Sequence, residues 1–154
     1  MPVSRGLQLA IEQSERQRDQ ASRVLAQVRQ REAQAAEQLS QLEAYLAEKD
    51  QVWIGRAGQI NPAVMQHHYS FLAKLDSAIG LQRGVMARFQ AETTAATQAV
   101  VVCEQRLSAL RQAAATIVAA DQQALLKREQ KQMDEMAGQM HQRLRPTTTQ
   151  GEPQ

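Results

Sequence analysis

The sequence predicts an all-α protein, a long antiparallel two-helix coiled-coil hairpin with a C-terminal helix overhang. Three observations carry this expectation. Prolines stand only at positions 2, 62, 146 and 153, so two long segments lack the strongest helix breaker. Apolar residues recur through both segments at alternating steps of four and three, the coiled-coil spacing. Between the segments, "GRAGQINPA" at 55–63 concentrates two glycines and an Asn-Pro pair.

In the first segment the series is Leu7, Ile11, Ser14, Arg18, Ala21, Leu25, Val28, Glu32, Ala35, Leu39, Leu42, Leu46, Lys49 and Trp53. Ten of these fourteen residues are apolar, without a slip in phase. Arg18 and Glu32 interrupt the seam, either to specify register, to snorkel past it, or to meet a partner. The turn follows. Gly55 and Gly58 allow the first helix to end and the backbone to reach left-handed conformations. Asn61 and Pro62 read as N-cap and first residue of a new helix.

The second segment continues with Met65, His68, Leu72, Leu75, Ile79, Gln82, Met86, Phe89, Thr93, Ala96, Val100, Cys103, Leu107, Leu110, Ala114 and Ile117. Thirteen of these sixteen are apolar, again in phase. The expected organisation is one hairpin over residues 1–145, with helices at 4–54 and 62–144 and a turn at 55–61, followed by a disordered tail, 146–154.

Pairing Trp53 with Met65 sets the register. Leu7, 46 residues before Trp53, then meets position 111, beside Leu110. Residues 112–144 are left without a partner from the first helix, an overhang of roughly 50 Å at the usual helical rise. The overhang carries Ile117, Val118, Leu125, Leu126, Met133, Met136, Met140 and Leu144, with a slip in heptad phase, so it demands another surface.

Composition excludes several classes. Alanine and glutamine supply 25 residues each while aromatics number five, which favours long helices over a thick globular core. The 18 basic and 16 acidic residues are interspersed, so no clustered basic face for nucleic acid arises. The longest relevant apolar run, "AVVVC" at 99–103, is far below a membrane span, and the N-terminus lacks a signal-peptide core. With Cys103 the one cysteine, a cytoplasmic, reducing setting is expected, with no membrane insertion.

No catalytic constellation is present. His67 and His68 are neighbours and point about 100° apart on a helix, unlike an i, i+4 metal pair. His68 and Cys103 occupy seam positions, and Gly80, Gly84 and Gly138 are isolated rather than a phosphate loop. The expectation is a non-enzyme with no metal and no cofactor.

Three segments together resemble the flagellar export protein family FliJ: "AAEQLSQLEAYLAE" (35–48), "YSFLAKLDSAIGLQ" (69–82) and "KREQKQMDEMA" (127–137). The similarity spans about residues 1–145 and rests on the three segments jointly, with "MDEM" the most specific. The resemblance implies a stalk similar to the central shaft of rotary ATPases. The end with both termini would enter the hexameric export ATPase FliI, while the rod contacts the export-gate membrane protein FlhA and export chaperones. The stalk would sit in the cytoplasm, peripheral to the inner membrane at the flagellar base.

By that resemblance the gate patch maps to Gln38, Leu42, Tyr45, Phe71, Leu75 and Ala78. Lys49 stands where some relatives carry another aromatic, and Gln82 where a histidine can occur. The register supports the convergence of the two stripes, since Tyr45 should face position 73 and Gln38 position 80. On the overhang, Lys127, Arg128, Lys131, Met133, Met136 and Met140 would meet the ATPase, bases toward acidic groups and thioethers adapting to non-identical faces. Three alternatives stand beside this: a virulence type III secretion stalk, a coiled-coil scaffold or chaperone hairpin, and self-association of two overhangs.

Overall fold

A computed structural model describes residues 3–56, 58 and 61–145. Helix α1 runs over Arg5–Gly55 and helix α2 over Pro62–Leu144, and no strand occurs among the described residues. Ser4 caps α1, its Oγ accepting from the Leu7 amide at 3.2 Å while its carbonyl accepts the first helical bond, from Gln8. Asn61 caps α2 in the same way. Its Oδ1 accepts from the Ala63 amide at 2.9 Å and its carbonyl from the Met65 amide at 3.1 Å. Pro62 fills the first helical position, where an amide proton would have no partner. At the far end of α2, His141 and Arg143 place cationic or ionisable groups beside the unpaired carbonyls.

The end of α1 departs from the left-handed glycine termination read from the sequence. No described glycine has a positive φ, and Gly55 is the last helical residue. Instead the Arg56 amide bonds back to the Trp53 carbonyl at 3.0 Å, a three-residue tightening that satisfies one orphan carbonyl. Of the expected turn, Ala57, Gln59 and Ile60 lie outside the described residues, as does the tail 146–154.

The chain divides into two compact units, Gln13–Leu107 and Met1–Glu12 with Ser108–Gln154. Within Gln13–Leu107 the helices pack against each other, antiparallel. Trp53 stacks on His68, Gln82 bonds to Ala35 and Gln38, Thr93 to Glu32, and Arg106 to Gln17. As the position on α1 falls, that on α2 rises. Every seam residue of this unit is buried or half-buried, with Ser14, Val28, Ala35, Leu75, Ile79, Ala96 and Leu107 most enclosed.

Some touching pairs lie well off the simple register, although Gln82 meets Ala35 within one position of it. Glu32 meets Thr93 rather than position 86, and Gln17 meets Arg106 rather than position 101. Side chains on an α-helix lean toward its N-terminus, so in an antiparallel pair each touching residue lies about one position beyond level. The long Glu, Gln and Arg side chains add the remainder.

Both polar interruptions on α1 find a use. The Thr93 hydroxyl donates to Glu32 at 2.6 Å across the seam, which favours this register over others. Arg18 keeps its stem half-buried and turns its head outward, donating to Asp19 at 3.0 Å, which is snorkelling.

In the unit of Met1–Glu12 with Ser108–Gln154, Val3, Leu7, Ala10, Ile11, Leu110, Ala114 and Asp121 are half-buried. The expected start of the uncovered segment at 112 is therefore too early. Every residue from Gln122 to Arg145 is exposed, while α2 stays helical to Leu144.

Candidate partner-binding surfaces

Tyr45 and Phe71 stand on opposite helices of the Gln13–Leu107 unit and meet edge to face. Their ring centroids are 6.0 Å apart at 81°, the arrangement favoured by the ring quadrupoles. Both remain open to solvent, at 42% and 40% exposure, so the pair presents area outward instead of sealing the seam. The Lys49 ammonium lies 5.4 Å from the Tyr45 ring centre, over a face that attracts cations.

Beside the rings lies an open groove of about 500 Å³ lined by Gln38, Gln41, Leu42, Tyr45 and Gln82. Gln82 fixes one wall by donating to the Ala35 carbonyl and to Gln38 Oε1, both at 3.1 Å. Next to it, Arg83 reaches back to the Glu43 carboxylate at 3.1 Å. The structure thus gathers Gln38, Leu42 and Tyr45 on one groove and sets Phe71 against its aromatic wall. Ala78 is half-buried, and Leu75 is buried in the seam.

Sequence reasoning missed Gln41 and noted Lys49 only as standing where some relatives carry another aromatic. Both sit four residues from Tyr45, on either side, and so share its face, a spacing that was available to find them. It also missed the ring cluster by the turn. The Trp53 indole lies flat on the His68 imidazole, 3.7 Å between centres, and Tyr69 meets Trp53 edge-on at 6.3 Å. His68 takes its expected seam place, with Nε2 buried and no protein hydrogen-bond partner.

The second candidate surface is the exposed end of α2. Leu125, Leu126, Met133, Met136, Met140 and Leu144 are each more than half exposed there. Lys127, Arg128 and Lys131 are interleaved with them, exposed as well. A helix this apolar gains little stability alone, because such faces are ordinarily held by packing.

Cys103 is a free thiol, half-buried in the seam between Val100 and Leu107. No group of three or more metal-ligating side chains gathers among the described residues. Nor is any described helix long and apolar enough to cross a membrane.

A family model described as "Flagellar FliJ protein" matches residues 4–145. No curated protein and no solved structure matches. The matched span takes in both helices and both candidate surfaces, so the chain belongs to the flagellar FliJ protein family and has a flagellar-type, export-associated role.

Proposed function

We propose that this protein is a non-enzymatic coupling stalk of the flagellar type III export apparatus. It links the export ATPase hexamer, FliI, to the membrane export gate, FlhA, and escorts emptied export chaperones. Its place is the cytoplasmic face of the inner membrane at the flagellar base.

The observation that carries this reading is the uncovered helical end. From Gln122 to Leu144, α2 holds its helix while exposing both thioethers and bases. Family membership makes an export component the natural cover for that face. Lys127, Arg128 and Lys131 meet acidic groups of the ATPase, and Met133, Met136 and Met140 fill its irregular apolar surface, a task suited to flexible thioethers. The Tyr45–Phe71 patch, with Gln38 and Leu42, is the gate contact, since exposed rings are favoured anchors of protein interfaces. Leu75 and Ala78 serve it as support.

The test is the rate of ATP hydrolysis by the purified export ATPase with and without this protein. Stimulation is expected, and a Lys127→Glu, Arg128→Glu, Lys131→Glu variant should weaken it by at least about tenfold at low salt. An ATPase indifferent to the wild-type chain would overturn the reading.

A further inference from the structure

The outer face of α2 between Gly80 and Gln105, opposite the seam, carries no charge along its centre. The equivalent face of α1 carries Arg16, Asp19, Arg23 and Glu37, as a solvated helix should. On α2 the large apolar residues Leu81, Val101 and Val102 stand exposed, Leu81 at 75%. The places where Gly80 and Gly84 would bear a Cβ are open space. Charge is confined to the flanks, with Arg83 and Glu104 on one side and Arg88 and Glu92 on the other.

We propose that this face is the contact between two copies of the chain, packed antiparallel about a two-fold axis crossing α2 between Glu92 and Thr93. That axis opposes Gly84 to Val101, Ala87 to Gln98 and Ala91 to Thr94 of the second copy. Each layer sets a small residue against a larger one, which lets two helices interdigitate closely.

The same axis decides the flanks. In an antiparallel pair the flanking positions are displaced by about two residues in opposite directions. On one flank this brings Arg83 to Glu104 of the second copy, and on the other Leu81 to Val102. The symmetry makes each pair occur twice. The Arg83 guanidinium already holds Glu43 through one nitrogen, yet it is largely exposed and has further N–H donors for a second carboxylate.

Neighbouring registers are worse. A shift of one heptad toward the turn sets Arg88 against its own copy and Asp76 against Glu104. The opposite shift sets Glu104 against Gln90 and Arg88 against Val102, losing both favourable pairs.

The experiment is sedimentation of the full chain, at concentrations up to about 100 μM to reach weak complexes. A dimer is expected. Glu104→Arg should weaken it by about tenfold or more at low salt, and Arg83→Glu combined with Glu104→Arg should restore it. In a Cys103→Ser background, Leu81→Cys with Val102→Cys should give a covalent dimer under mild oxidation. Within one chain these positions are about 30 Å apart on the same helix, beyond disulfide reach. A monomer throughout, a dimer indifferent to Glu104→Arg, or a charge swap that fails to rescue would each overturn the proposal. Circular dichroism keeps loss of fold distinct from loss of contact.

Discussion

The Thr93 hydroxyl and the Glu32 carboxylate are joined by a 2.6 Å hydrogen bond across the helix–helix seam, a polar layer in a mostly apolar stripe. Glu32 is half-buried, so removing its partner leaves a charge incompletely satisfied. Thr93→Val should cost about 1–3 kcal/mol in urea unfolding. Glu32→Leu combined with Thr93→Val should recover most of that or exceed the wild type, because an apolar pair needs no partner. If the double variant is as unstable as Thr93→Val alone, the bond is not what the seam depends on.

His68 presents the opposite case. Its imidazole is stacked on Trp53, but Nε2 is buried without a protein partner. Phenylalanine keeps a flat ring of similar size and removes the unsatisfied atom. His68→Phe should therefore raise stability by about 1 kcal/mol, read from the shift in unfolding midpoint. Trp53→Ala should lower it by about 1–3 kcal/mol through lost ring area. A destabilised His68→Phe variant would show that Nε2 is satisfied in solution.

The Tyr45–Phe71 pair separates stability from binding. Edge-to-face pairs contribute about 0.5–1.5 kcal/mol beyond area, and both rings here are partly exposed. Tyr45→Ala with Phe71→Ala should leave helical content near that of the wild type while reducing gate pulldown and motility severely. Full motility in the double variant would reduce the rings to a solvent-side brace over Leu42 and Leu75.

Much of this was legible in the sequence because a narrow stripe at steps of four and three has few other readings. All fourteen seam residues named on α1, and all those on α2 except Ile117, are buried or half-buried. Ile117, at 39% exposure, is the seam residue that stays open. The contacts between helices were less legible. Heptad phase fixes which residues face the partner helix, not how far side chains lean along it, so Thr93 opposite Glu32 was missed. The Trp53–His68 stack depends on ring rotamers, and the glycine conformations at the turn depend on how the last carbonyls are satisfied. Neither is written in spacing.

The end of α2 gives the most direct test of the coupling proposal. Half-burial ends at Asp121, and every described residue beyond Gln123 is exposed. Truncation after Gln123 thus removes side chains that contribute little to packing within the chain, and substitutions at such places change stability by about 0.5 kcal/mol or less. The shortened protein should unfold at nearly the same urea midpoint, with less helical signal in proportion to the residues lost. It should keep gate binding, because Tyr45, Phe71 and the groove lie in the Gln13–Leu107 unit. It should lose stimulation of the export ATPase, because Lys127, Arg128, Lys131 and the three methionines are gone. Self-association makes a different forecast for this segment: sedimentation would show a dimer lost on truncation while ATPase stimulation persists. Because the proposed two-fold contact at Gly80–Gln105 lies outside the deleted residues, that dimer should survive the cut, and stimulation alone should fail.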